Sequence, residues 1–148
     1  ALRGAGGGRN VNATLDGIPI WKGPVGRISA VDVNTGEYKW IVPNGDAPQQ
    51  EQDLLENHPL LQGINGVMTN RGRPGHAAMV ATGTLLIASG LDADSQPKLF
   101  AIDKETGERV GEIELPGPTR YGMSSWVHEG KQYVIIQLND GLAAYALP

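Results

Sequence analysis

A ten-residue pattern occurs twice in this chain, and it limits the possible folds more than any other feature. The stretch Leu99–Glu108 is a second copy of Ile28–Glu37, and the two copies share Ala, Asp, Thr, Gly and Glu at the same places. A truncated third copy, Leu142–Leu147, carries Ala146 where the aspartate would stand. Repeats spaced by about 40–50 residues are typical of propeller blades or other stacked units.

Each copy predicts a β-hairpin with its own turn clamp. Residues before the aspartate alternate between bulky and small side chains, as in a half-buried strand. The glycine suits the positive φ of a tight turn, while the aspartate and threonine side chains can bond to backbone groups within it. Trp40 ends the first hairpin and suits the space between two sheets. The residues given these structural roles are Asp32, Thr35, Gly36, Trp40, Asp103, Thr106 and Gly107.

The spacing of turn signals predicts an all-β chain, a partial β-propeller of four-stranded antiparallel blades. With 148 residues, it holds about two to three blades. The expected divisions are a half blade at 17–46, a long insertion loop at 47–75, a full blade at 76–117 and three strands of the closing blade at 118–148. Within the insertion, Asp53–Glu56 is expected to form one helical turn. The glycine-rich residues 1–17 are expected to form a flexible arm.

Composition excludes several function classes. The net charge is −4 and no basic run is present, so nucleic acid is not an expected partner. There is no cysteine, which excludes disulfides and thiolate metal sites. The longest mainly apolar stretch, 77–89, is too short for a membrane span. Because the chain starts at Ala1 without a methionine, we interpret it as a mature, clipped or excised piece. The last unit has three strands and the N-terminal part offers no convincing fourth, so we expect the tail of a larger ring.

The motif at Ala30–Trp40, Ala-x-Asp-x-x-Thr-Gly-Glu-x-x-Trp, resembles the repeat of the pyrroloquinoline-quinone (PQQ) dehydrogenases. Four further stretches fit that family in the same order: Gly26–Ile28, Val42–Asp46, Gly130–Ile136 and Leu142–Pro148. The likeness covers nearly the whole chain and is strongest to the glucose-dehydrogenase-like branch. In the second copy, Gly111 stands where the family has tryptophan, so we expect that blade junction to pack differently.

The resemblance implies an eight-bladed propeller that holds PQQ and a calcium ion near its axis and oxidises a sugar or alcohol in the periplasm. It also implies that the catalytic base and the calcium ligands lie in earlier blades. No catalytic or metal-binding residue is therefore assigned here, and we expect the isolated chain to be inactive.

Loops that share one face of a propeller predict the cofactor-facing residues. PQQ carries three carboxylates and an ortho-quinone, for which guanidinium and amide donors are suitable partners. The alternative is that the arginines are solvated loop residues. The residues predicted to face the cofactor are Asn70, Arg71, Arg73, His76, Arg120 and Tyr121.

A second hypothesis is a non-catalytic scaffold, because propellers with the same repeat also bind protein partners in the bacterial envelope. In either case the open faces and edges of a partial propeller predict partners, either the rest of the propeller or copies of this chain. We expect Trp40 to be buried against the blade that begins at Ala77.

Overall fold

Antiparallel β-structure dominates residues 14–147, which a computed structural model describes except for the side chains of Arg120 and Tyr121. The strands are β1 Thr14–Leu15, β2 Ile18–Pro19, β3 Arg27–Val31, β4 Tyr38–Pro43, β5 Met79–Ala81, β6 Leu85–Leu91, β7 Pro97–Asp103, β8 Arg109–Glu114, β9 Thr119–His128, β10 Lys131–Leu138 and β11 Leu142–Ala146. A helix, α1 Gln49–Asn57, and a short 3₁₀ helix, Pro59–Leu61, lie between β4 and β5.

The four-stranded sheet has the order β5-β6-β7-β8 and forms the middle of the molecule. Strands β6 and β7 are apolar on both faces, as expected for strands that are covered on both sides. Ile87 and Leu99 point to one face, while Ala88, Phe100 and Ile102 point to the other. Both faces of this sheet therefore need a neighbour.

The two neighbours are the hairpin β3–β4 and the three-stranded sheet with the order β11-β10-β9. Ile28 of the hairpin packs on the face of the middle sheet that carries Phe100. Val134 and Ile136 of the three-stranded sheet pack on the opposite face, around Leu99. Stacked antiparallel sheets with a four-stranded unit confirm the predicted all-β, partial-propeller fold class.

The turn between β7 and β8 is held by the side chain of Asp103. Its Oδ1 accepts hydrogen bonds from the N–H groups of Glu105 and Thr106, both at 2.9 Å. The Thr106 hydroxyl also bonds to this oxygen at 3.1 Å, and it accepts the N–H of Glu108 at 3.2 Å. Gly107 supplies the positive φ of 77° that closes the turn.

The turn between β3 and β4 repeats this arrangement around Asp32. Its Oδ1 accepts the N–H groups of Asn34 at 2.8 Å and Thr35 at 3.4 Å. Thr35 accepts the N–H of Glu37, and Gly36 has the same φ of 77°. The shared letters of the repeat thus correspond to shared hydrogen bonds.

The repeated carboxylates make stability depend on pH. Hydrogen bonds from backbone N–H groups, chiefly that of Thr106, hold the pKa of Asp103 below its ordinary value of 3.8. The N–H of Asn34 is the main cause of the lowered pKa of Asp32. A folded-state pKa below the unfolded value stabilises the protein above the unfolded pKa, and this contribution is lost as the pH falls through the folded pKa.

We therefore expect stability to decrease as the pH is lowered below about 4, where carboxylates begin to take up protons. Carbon-detected NMR titration of the carboxyl groups should place Asp32 and Asp103 below 3.8. The variant Asp103→Asn should show a shallower loss of stability with acid. A carboxyl of Asp103 that titrates at or above 3.8 would contradict this account.

Trp40 joins the first hairpin to the middle sheet. Its indole Nε1 donates a hydrogen bond to the carbonyl of Lys104 at 3.0 Å, and its ring lies against Gly107. A Cβ atom at Gly107 would lie only 2.7 Å from the ring. The Lys104 ammonium in turn binds the carbonyls of Thr82 at 3.0 Å and Gly83 at 2.7 Å. The turn end of the middle sheet, residues 82–84 and 103–108, is thus fastened to its neighbour.

The connection between β4 and β5 contains more helix than expected. The prediction of one turn at Asp53–Glu56 was too short, because α1 spans Gln49–Asn57. Glutamine and glutamate are good helix formers, and Leu55 is buried beneath the helix. The helix ends before Pro59, since the residue preceding a proline disfavours the α conformation. His58 is accordingly extended, with ψ of 127°.

The N-terminal part also departs from the expectation of a flexible arm. Thr14–Leu15 pairs with Ile18–Pro19 in a two-stranded hairpin, while residues 1–13 lie outside the described range. Neither helix within residues 14–147 has the length and apolar character needed to cross a membrane.

Candidate functional site

A cleft of about 220 Å³ opens at the end of the middle sheet opposite its turn end. Strands β5 and β9, the inner edges of their sheets, lie side by side next to it. Its polar lining comes from Asn44, Arg73, His76, Ser89 and Thr119, and its apolar lining includes Pro74, Leu91, Leu115 and Pro118. An apolar cleft with a few converging polar groups is the usual form of a small-molecule site.

Arg73 holds the connection to β5 against the turn between β6 and β7. Its Nε donates to the carbonyl of Asp46 at 2.8 Å. Its Nη2 donates to the carbonyl of Asp92 at 2.9 Å and to the hydroxyl of Ser95 at 3.0 Å. The guanidinium therefore lines the cleft while two of its nitrogens are engaged within the chain. A cofactor role for Arg73 stays a prediction.

Arg71 is buried away from the cleft and pairs with the helix α1. Its Nη1 lies 2.8 Å from a carboxylate oxygen of Glu51, and its Nη2 donates to the carbonyl of Trp21. Only 7% of the Arg71 side chain is exposed, so this pair fixes α1 and the segment before β3 to the connection. These contacts give Arg71 a structural task, and its predicted contact with a cofactor stays a prediction.

Asn70 is also fully engaged within the chain. Its Oδ1 accepts the N–H groups of Ala47 at 2.9 Å and Gly72 at 3.1 Å, while its Nδ2 donates to Asp46. The same carboxylate receives both guanidinium nitrogens of Arg109, at 3.0 and 3.1 Å. A second cleft, of about 360 Å³, lies beside this cluster between the first hairpin and the middle sheet.

The other three predicted residues lie at or next to the cleft. His76 is exposed on its rim, just before β5. Arg120 and Tyr121 follow Thr119 in β9, but their side chains lie outside the described residues. The structure thus places Arg73 and His76 at this cleft and Asn70 at the second cleft, while Arg71 is buried in its pair with Glu51.

Sequence reasoning missed Asn44, which lines the same cleft. Its side chain is nine-tenths buried, and its Oδ1 has no hydrogen-bond partner among the described residues. The segment Pro43–Asp46 has the composition of a simple turn, so nothing in the local sequence distinguished this asparagine. Its backbone packs against Gly72 and donates to the carbonyl of Gly26 at 3.0 Å, so its burial depends on contacts from distant parts of the chain.

Electrostatically, the cleft contains a cation and no carboxylate. Arg73 is the charged group of its described lining, and Asn44, Ser89 and Thr119 are uncharged polar groups. Across residues 14–147, no three His, Cys, Asp or Glu side chains come together as metal ligands would. The cleft is therefore suited to a neutral or anionic polar molecule.

Comparison with known proteins identifies the family. The sequence model for the PQQ family, described as the glucose/ethanol/alcohol dehydrogenase β-propeller domain, matches residues 4–134. The chain belongs to this family, which confirms the resemblance to the PQQ dehydrogenases.

Curated relatives agree with this membership. The chain is 30% identical to the glycerol dehydrogenase large subunit of Gluconobacter thailandicus, over 97% of this chain and 22% of that protein. It is 29% identical to the corresponding subunit of Gluconobacter oxydans (strain 621H), with the same coverage. It is also 29% identical to a probable quinate dehydrogenase (quinone) of Xanthomonas campestris pv. juglandis, over 89% of this chain and 17% of that protein. No solved structure matches the chain at a significant level.

Proposed function

We propose that this chain is one section of a PQQ-dependent dehydrogenase that oxidises a sugar or an alcohol. The observation that carries the proposal is the family match over residues 4–134. The chain spans about a fifth of the length of the two glycerol dehydrogenase subunits, 22% in each case, so the activity belongs to a longer protein. The relationship to the glucose-dehydrogenase-like branch is part of this proposal, as is a periplasmic location.

The cleft beside β5 and β9 fits one side of such a cofactor. Arg73 supplies positive charge and His76 supplies a ring N–H, and carboxylate and quinone oxygens accept hydrogen bonds from such groups. The side-chain oxygen of Asn44, which is unpaired among the described residues, supports this proposal because it can accept a hydrogen bond from a bound molecule. When bound, PQQ would supply the quinone that accepts electrons from the alcohol carbon. Arg71 and Asn70 would hold the connection in place behind it.

The calcium ligands and the catalytic base would come from other parts of the longer protein. We propose that the isolated chain is inactive for this reason. Its role is to hold one side of the cofactor and to position neighbouring sheets.

The end faces of the stack support a structural partner. On the outer face of the three-stranded sheet, Trp126 stacks on Tyr133 with ring centroids 5.3 Å apart, and Trp126 is 42% exposed. On the outer face of the first hairpin, Ile41 is 41% exposed. Equivalent apolar positions of the middle sheet are covered on both sides. We propose that further sheets, from the rest of the propeller or from copies of this chain, cover these faces.

A scaffold that binds protein partners without PQQ is the second candidate. It is favoured by the internal engagement of Asn70, Arg71 and Arg73, which accounts for these side chains without a cofactor. The family match favours the enzyme, because the description of that family names dehydrogenases.

PQQ binding by the full-length gene product separates the two candidates. Titration with PQQ, followed by tryptophan fluorescence, should show saturable binding with one site per chain. Addition of calcium and an artificial dye should then give oxidation of glucose or glycerol. A full-length protein that binds no PQQ would support the scaffold. Dye reduction by the 148-residue chain alone, with PQQ and calcium, would contradict the proposal that the base and metal ligands lie elsewhere.

A further inference from the structure

The side-chain oxygen of Asn44 is buried without a hydrogen-bond partner among the described residues. Its backbone is satisfied, since the N–H donates to Gly26 and the carbonyl accepts from Arg73, each at 3.0 Å. The side-chain oxygen is shielded from solvent and unpaired among the described residues. An unpaired buried polar group destabilises a fold by about 1–3 kcal/mol. If Asn44 had only a structural role, its unpaired oxygen would lower the stability of the fold without any compensating contact.

Asn70 shows what a structural asparagine does in the same region. Its amide makes hydrogen bonds with the backbone of Ala47 and Gly72 and with the carboxylate of Asp46. Asn44 makes no such bond within residues 14–147, although it is more deeply buried. No described residue pairs with its oxygen, so this oxygen keeps hydrogen-bonding capacity for a molecule that reaches it from the cleft.

The surroundings of Asn44 define the chemistry of a ligand. The described lining of the cleft, of about 220 Å³, contains no carboxylate, and two nitrogens of its guanidinium already donate to the carbonyls of Asp46 and Asp92. Leu91 and Leu115 offer apolar contacts for a carbon skeleton. A hydroxyl both donates and accepts, so it can pair with either end of the amide.

We infer that Asn44 is a specificity-determining residue that hydrogen-bonds a hydroxyl of a small polyol held in this cleft. The inference rests on the proposed function, in which this polyol is the substrate. An ordered water molecule has the same O–H chemistry, so the test must separate a polyol from water.

The test compares two leucine variants of the full-length gene product. Asn44→Leu keeps nearly the same shape and removes the amide, while Asn65→Leu makes the same change at an exposed position outside the cleft. Glycerol is the probe, and its binding is measured by calorimetric titration. Loss of one hydrogen bond predicts about tenfold weaker glycerol binding for Asn44→Leu and unchanged binding for Asn65→Leu.

Thermal unfolding without glycerol provides the second measurement. Because the side-chain oxygen of Asn44 has no partner among the described residues, Asn44→Leu should keep or raise the melting temperature, whereas Asn70→Leu should lower it. If Asn44→Leu lowers the melting temperature as much as Asn70→Leu, the amide is structural and the inference is wrong. If glycerol binds equally to the unmodified protein and to the Asn44→Leu variant, the amide contacts only water and the inference is wrong. The inference is also wrong if glycerol does not bind to the unmodified protein.

The two proposals fail in different ways. Suppose that PQQ binding and glycerol oxidation are intact, and that Asn44→Leu leaves glycerol binding unchanged. That result would overturn only this inference. A full-length protein that binds no PQQ would overturn the proposed function, whatever the leucine variants show.

Discussion

Replacing Trp40 with alanine is expected to lower the free energy of unfolding by about 3 kcal/mol, at the low end for a packed tryptophan because part of the ring stays exposed. The substitution removes the ring from the cluster formed by Ile28, Phe100 and their neighbours. It also removes the hydrogen bond from the indole to the carbonyl of Lys104. Guanidinium-induced unfolding of the purified protein measures the change.

Two control variants divide this effect into its parts. Trp40→Phe keeps an aromatic ring but loses the hydrogen bond, so it should cost about 1 kcal/mol for that bond and somewhat more for the smaller ring. Trp126→Ala removes a tryptophan that is 42% exposed on the outer face, and it should cost less than Trp40→Ala. Equal losses for the two alanine variants would show that Trp40 does not join the hairpin to the middle sheet.

Replacing Gly107 with alanine is expected to cost about 3 kcal/mol, and the same change at Gly36 only about 1 kcal/mol. Both glycines have φ of 77°, so each alanine bears the strain of a left-handed conformation, about 1–2 kcal/mol. Only at Gly107 does the new Cβ also meet the Trp40 ring, at 2.7 Å. Nothing lies within 4 Å of a Cβ at Gly36. The remaining difference is the cost of overpacking, about 1–3 kcal/mol.

The pair is compared by unfolding in denaturant, with Trp40 fluorescence as a second observable. Gly107→Ala should shift the emission of Trp40 because the ring must move, while Gly36→Ala should leave it unchanged. A third variant, Gly107→Ala combined with Trp40→Ala, should lose less than the sum of the single losses, since the clash requires both groups. Equal losses at the two glycines would contradict the close packing of Trp40 on the turn.

The fold could be predicted because its signals are local. The hydrogen bonds of Asp103 reach only to Glu105 and Thr106, so a short motif contains everything the turn needs. The same motif at Asp32 then predicts a second, similar turn. Helix α1 was underestimated because its buried face consists of Leu55 alone, which leaves no clear helical periodicity.

The candidate site was harder to predict because its contacts are long-range. The partners of Arg73 are the backbone carbonyls of Asp46 and Asp92, and carbonyls carry no sequence signature. Because these partners cannot be recognised in the sequence, the loop arginines were predicted to face a cofactor, with solvated loop residues as the alternative. The burial of Asn44 likewise depends on Gly26 and Gly72, which approach it from distant parts of the chain.

Trp40 contacts the turn at residues 103–108, so the two ends of the middle sheet have different roles: one contacts the neighbouring hairpin through Trp40, and the other borders the cleft. Leu85 pairs with Asp103 at the turn end, and Leu91 pairs with Pro97 at the opposite end, next to the cleft. The contact of Trp40 with the neighbouring sheet lies at one end of strands β6 and β7, and the cleft lies at the other end, where the N–H of Asp46 also donates to the carbonyl of Leu91 at 2.8 Å. Loops at the cleft end can therefore change length or composition, and with them the molecule that is recognised, while the contact of Trp40 with the turn is kept.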